Sequence, residues 1–127
     1  MTIKRFGAGE KGLGDAPLPF ARSVQADGWL YVSGQVPMRD GEIVAGGIGP
    51  QTVQAIDNLI ALLHEAGYGV EHVVRVGVWL EDARDFGAFN AVYAKHFPKD
   101  PPARTTVESR LMIDIKIEVE AVAYRPV

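Results

Sequence analysis

The chain has 127 residues and no cysteine. Disulfides, thiolate nucleophiles, iron–sulfur clusters and cysteine-ligated zinc are therefore excluded. Positive charge is also scarce: the formal net charge is −3 with a pI near 5.5. No lysine and arginine cluster with interleaved aromatics offsets it, so nucleic acid is not an expected partner. No apolar run approaches the roughly 18 residues that a membrane span needs. The opening "MTIKRFGAGEKGLGD" lacks the apolar core and small-residue cleavage site of a secretory signal. A cytoplasmic protein without membrane contact is the expectation. His64, His72 and His96 show neither H-x-H nor H-E-x-x-H spacing, so no metal is expected.

What is present is ordinary for a globular protein, 47% hydrophobic and 23% charged residues. This length fits one domain, residues 1–127, able to bury a single core. Only "GAGEKGLGDAPLP" at 7–19 reads as linker-like. "GWLYVSGQVP" at 28–37 predicts a strand, and Asp40-Gly41 predicts a hairpin turn after it. Val53, Ile56, Leu59, Ile60, Leu63 and Ala66 recur at helical spacing over 51–66, and Gly67 stands where a left-handed C-terminal residue belongs. "VVRVGVWL" at 73–80 predicts a strand with Val74, Val76, Val78 and Leu80 on its aliphatic face. A second helix follows, capped by Asp82 or Asp85, with Phe86, Phe89, Tyr93 and Phe97 as its stripe. In "IDIKIEVEAVAY" the odd positions from Ile113 to Ala123 are apolar and the even positions Asp114 to Glu120 polar. The whole predicts an α+β sandwich of two layers, a mixed sheet with two helices on one face.

Candidate chemistry centres on "PPARTTVE". If that strand is regular, Arg104, Thr106 and Glu108 share a face, which the pattern assigns to the polar side of the last strand. A solvated face with surface ion pairs is the plainer account of them, since a sheet with one wet face needs no ligand. Ser33 in "VSGQ" lacks a nucleophile elbow and reads as a strand hydroxyl bonded to backbone. Gly46, Gly47 and Gly49 lack the lysine of a phosphate loop and read as the approach to a helix.

Taken together, "YVSGQVP", the stretch from Gln51 to Phe97, "PPAR" and "KIEVEAVA" resemble the reactive intermediate deaminase (RidA/YjgF) family, from about Pro17 to the C-terminus. The resemblance implies a chorismate-mutase-like fold and a homotrimer whose sheets line a central barrel, with ligand clefts between subunits. It also implies hydrolysis of small 2-imino and 2-enamino acids to 2-oxo acids and ammonia without a cofactor. By family position Arg104 grips the substrate carboxylate and Glu118 orients or activates the water. Ser33, Gly34 and Thr106 are implied contact residues, and Asn90 is implied to brace the pocket wall through loop backbone.

Three features depart from the family pattern. Phe20, in "LPFARS", stands where many members carry a tyrosine that approaches the ligand. Thr106 stands where many carry cysteine, and "RLMIDIK" is about a residue shorter than the usual proline-containing turn. These changes bear on substrate range more than on reaction type. A trimer that binds 2-oxo acids without turnover, or a deaminase of a larger catabolic enamine, are the alternatives.

Overall fold

A computed structural model describes residues 2–11 and 16–126. Residues 12–15 of the linker-like segment thus lie outside the described residues. The strands are β1 (Ile3–Phe6), β2 (Ser23–Ala26), β3 (Trp29–Gln35), β4 (Met38–Arg39), β5 (Glu42–Ile43), β6 (Val73–Leu80), β7 (Ala103–Glu108) and β8 (Ile117–Tyr124). The helices are α1 (Ile48–Glu65) and α2 (Phe86–His96). Six strands form one mixed sheet in the order β1-β2-β3-β8-β6-β7, in which only β6 and β7 run parallel, joined by the α2 crossover. Both helices pack on the same face, giving the expected two-layer α+β arrangement. No helix among the described residues is long and apolar enough to cross a membrane.

The core lies between the helices and the inner face of the sheet. On β8 the alternation holds strictly: Ile117, Val119, Ala121 and Ala123 are buried, while Glu118, Glu120 and Val122 are only partly so. The inner face meets Ala55, Ile56, Leu59, Leu62 and Leu63 of α1 and Phe89, Tyr93 and Phe97 at α2. Fully burying each Leu or Ile contributes about 1.5–3 kcal/mol.

The sequence pattern misplaces several residues. Val53 is exposed, because the buried stripe of α1 is rotated to run through Thr52, Ala55 and Ile56. Val53 instead lines a shallow hollow with Ile43 and Val44. On β6 a register shift between Val73 and Arg75 turns Val73 inward and leaves Val74 exposed. β8 begins at Ile117, not Ile113, although Ile115 is already buried. α1 starts at Ile48, which places Pro50 in the first turn, where its missing N–H has no helical partner to lose. Phe86 is exposed, unlike the other three rings of its stripe. Asp82 accepts from the Arg84 N–H at 2.9 Å and caps the short turn before α2, whereas Asp85 makes no side-chain cap.

Two strands escaped the pattern, β1 and β2. The β2–β3 hairpin closes on Asp27-Gly28, a two-residue turn signal, with Asp27 at φ 53°. β4 and β5 pair around Asp40-Gly41, both at positive φ, as the sequence predicts.

Gly67 ends α1 at φ +84°, with the nearest obstacle to a Cβ, the Arg125 guanidinium, 3.6 Å away. The space is free and the backbone conformation is the constraint. Gly67→Ala should lower the unfolding free energy by about 1 kcal/mol, and Gly67→Asn by less, since asparagine tolerates the left-handed region. Denaturant titration of both variants checks this.

Candidate functional site

Arg104 does not join the polar side of the last strand. It is opposite Val76 in the parallel β6–β7 register, and Thr106 is opposite Val78. Val76 and Val78 are buried against the helix layer, so Arg104 and Thr106 face the helices. The guanidinium carbon stands 4.6 Å from the Tyr93 ring centre, 5.1 Å from Phe89 and 5.7 Å from Phe86, all on α2. Polar alternation alone misleads here because β7 is an edge strand. Its inner face lies at the rim of the helix layer, where a long polar side chain can cover apolar rings and still reach water. Among the described residues no carboxylate lies within ion-pair distance of Arg104. Thr106 Oγ1 and Tyr93 Oη are both buried without a hydrogen-bond partner among the described residues. Burial pushes the Tyr93 phenol up, opposed by the adjacent Arg104 guanidinium through both its charge and the approach of its N–H donors. Glu108 turns to the strand end and accepts from the Ala83 N–H at 2.7 Å.

Glu118 lies on the other face. It is opposite Trp79 in the β6–β8 ladder, on the side away from the helices. Burial, reinforced by the negative charge of Glu120, raises its carboxyl above the ordinary glutamate value. Glu120 is itself 3.5 Å from Arg75. A β-bulge brings Gly34 to this carboxylate: the register shifts between Val32 and Gln35, so Ser33 and Gly34 together occupy the place of one residue opposite β8. A Cβ at Gly34 would collide with the Glu118 carboxylate. The glycine leaves the room in which that carboxylate sits.

Ser33 behaves as a structural hydroxyl, donating to the Ala21 carbonyl at 2.7 Å, while its N–H donates to the Arg22 carbonyl at 2.9 Å. These bonds tie the Phe20 segment to the bulge. Phe20 itself is 49% exposed. Asn90 is half-buried on α2, and no hydrogen bond from its amide to loop backbone is present among the described residues. Asn58 does that work from α1, donating to the carbonyls of Val36 and Met38 at 3.0 and 2.9 Å. Gln51 adds a second brace, donating to the Val44 carbonyl at 3.1 Å and accepting from the Lys116 N–H at 2.8 Å. Neither amide stands out from a helical heptad by sequence alone.

The open face is less polar than the last strand suggests. Beside Arg75, Glu118 and Glu120 it carries Trp29, Tyr31 and Tyr124, each 41–50% exposed. Two surface hollows, of about 560 and 540 Å³, lie by Arg110–Asp114 and by the β4–β5 hairpin, away from both Arg104 and Glu118. Among the described residues no group of three His, Asp or Glu side chains could hold a metal ion.

The endoribonuclease L-PSP family model matches residues 14–125. A RutC family protein of Pyrococcus horikoshii is 44% identical over 110 residues, 84% of this chain and 87% of its own. Among solved structures, yeast Mmf1 superposes with a TM-score of 0.87 at 31% identity, over 97% of this chain and 98% of that one. Escherichia coli TdcF with bound serine gives 0.84 at 30% identity, over 96% and 99%.

Two outcomes test this geometry. Gly34→Ala should displace Glu118 while leaving the core intact, so the melting temperature should change little and the titration of Glu118 should shift. Because the folded carboxyl is raised above its unfolded value, its share of stability is present below about pH 4.5 and lost as pH rises through the folded pKa. Denaturant titration of wild type and Glu118→Gln from pH 4 to pH 8 should show the wild type losing stability relative to the variant over that window. Parallel curves would show that Glu118 is solvated.

Proposed function

The chain belongs to the endoribonuclease L-PSP family, the RidA/YjgF proteins, and from that premise we propose that it is a homotrimeric deaminase acting in the cytoplasm on small 2-imino and 2-enamino acids. The observation that carries this reading is the separation of Arg104 and Glu118 on opposite faces of one sheet. One chain cannot aim both at a single small molecule. Two neighbouring copies can, with Arg104 at the rim of one sheet and Glu118 on the open face of the next. The exposed Trp29, Tyr31 and Tyr124 give that face apolar area to bury against a partner. Closed rotational symmetry about an axis facing the open sheets then repeats the cleft three times around a central barrel.

The reaction demands little of such a cleft. The imine carbon is already electrophilic, so the site must hold the carboxylate, place one water and move one proton. Arg104 offers a planar fork of N–H donors to the carboxylate, with Thr106 Oγ1 as a further partner two residues along the same face. An enamine first takes a proton from solvent at its β-carbon and becomes the protonated imine. Water then adds to the carbon of the protonated imine and gives one proton to the Glu118 carboxylate, forming a carbinolamine. Glu118 returns that proton to the amino nitrogen; the C–N bond then breaks as the hydroxyl proton passes to the freed Glu118 carboxylate, the carbonyl of the 2-oxo acid forms, and the departing ammonia carries that last proton away as ammonium. A carboxyl with a raised pKa suits both halves of this exchange. Covering the open face with a second subunit would raise it further. Phe20, Ser33, Gly34 and Asn90 complete the proposed contact set. The serine bound by TdcF is a carboxylate with nitrogen on the adjacent carbon, the same pole that these imino acids present.

The test uses iminopropanoate generated in situ by an amino-acid oxidase or dehydratase, with ammonia release as the readout. Arg104→Lys should keep the charge and lose the fork, lowering turnover by about ten- to thousandfold. Glu118→Gln should lower it by about 10²- to 10⁴-fold. For the wild type, kcat/KM should rise with pH through a pKa above the ordinary glutamate value. Co-expressing the Arg104→Ala and Glu118→Gln chains should restore activity, since about a quarter of the clefts in randomly mixed assemblies regain both side chains. Two inactive variants that stay inactive when mixed would place the site within one chain.

A further inference from the structure

Arg104 is a half-buried cation that faces aromatic rings where a protein interior would ordinarily supply a carboxylate. Phe89, Tyr93 and Phe97 are 0%, 7% and 6% exposed, so three of the rings along this helix are fixed by the core. The rings follow one another at centre-to-centre distances of 6.4 Å (Phe86–Phe89), 5.4 Å (Phe89–Tyr93) and 4.8 Å (Tyr93–Phe97). A ring face attracts a guanidinium through its quadrupole without accepting the N–H donors at the guanidinium edge. A carboxylate partner would occupy two of those donors, and an incoming anion would have to displace it. We propose that Phe86, Phe89 and Tyr93 are positioning residues that hold the Arg104 guanidinium in place and leave its donors free for a carboxylate ligand. The spacing of three and four residues along α2 puts all three rings on one side of the helix, beside the β7 edge. Because only Phe86 of the three is exposed, it forms the outer wall of this seat and can be changed without opening the core. The proposal rests on Arg104 being the carboxylate-binding residue.

The experiment is calorimetric titration of the full chain with 2-oxobutanoate and, as a control lacking the carboxylate, 2-oxobutanamide. Phe86→Leu and Tyr93→Leu should each weaken 2-oxobutanoate binding about five- to thirtyfold, the range of one cation–π contact from exposed to desolvated. Tyr93→Phe keeps the ring and should bind within about twofold of wild type. The weak affinity for the amide should be the same in all four proteins. Unchanged 2-oxobutanoate affinity in Phe86→Leu, or equal losses for acid and amide, would overturn the platform while leaving the carboxylate reading of Arg104 in force. If Tyr93→Leu does not fold, Phe86→Leu at its exposed position decides the matter alone. If wild type and Arg104→Ala bind 2-oxobutanoate equally, the carboxylate reading falls and the platform with it.

Discussion

Everything in this molecule depends on the strict two-residue alternation of β8. Ile117, Val119, Ala121 and Ala123 supply the sheet's share of the core from the central position between β3 and β6. The pleat then leaves no freedom for the residues between them: Glu118 and Glu120 must stand on the face opposite the helices. A shift of one residue would bury two carboxylates under α1, which no pairing in this core could offset. The same hydrophobic pattern that fixes the fold therefore fixes which side of the sheet receives the acidic group. It also raises that group's pKa, since Glu118 is flanked by Trp79 on β6 and by the backbone of the β3 bulge.

Charge at the other pole is managed differently. Arg75 and Glu120 pair on the open face, and Lys116 lies 3.7 Å from Glu81 beside it. These are half-exposed pairs of the kind that contribute about 0–1 kcal/mol each. Arg104 has rings for company and no such pair among the described residues. A cation left uncompensated within its own chain is stable enough to persist when part of it reaches water. It also retains its attraction for an anion that arrives later. The edge position of β7 provides both conditions, because an edge strand is covered by the helix layer on only part of one face.

The sequence foretold the two-layer architecture well because α1, β6 and β8 carry long apolar patterns whose periods differ clearly. It was less informative where a pattern is short or interrupted. β1 and β2 have four residues each, too few for alternation to rise above chance. The β6 and β3 register shifts are single-residue events that no periodicity announces, yet one exposes Val74 and the other carries Gly34 to Glu118. The side of the sheet taken by Arg104 was not legible in the sequence at all. "ARTTVE" alternates weakly, and which face is inner depends on strand order, a long-range property. The residues Arg104 and Glu118 themselves came into view through family resemblance, while their opposite faces came only from the ladder registers.

The departures from the family pattern acquire a direction from this geometry. Phe20 precedes Ala21 and Arg22, whose carbonyls accept hydrogen bonds from Ser33 in the β3 bulge. Relative to a tyrosine there, Phe20 lacks a hydroxyl. Thr106 stands two residues from Arg104 on the same face, and a hydroxyl in place of a thiol is the stronger donor and acceptor. Its Oγ1 is buried without a partner among the described residues, which costs about 1–3 kcal/mol as long as it stays unmet. A ligand carboxylate seated on Arg104 would meet it. On the proposed reading, the two substitutions thus take one hydroxyl from the Phe20 segment and set another beside the carboxylate-binding Arg104. Such a cleft would, on that reading, draw its grip on a ligand from the carboxylate that all 2-imino acids share.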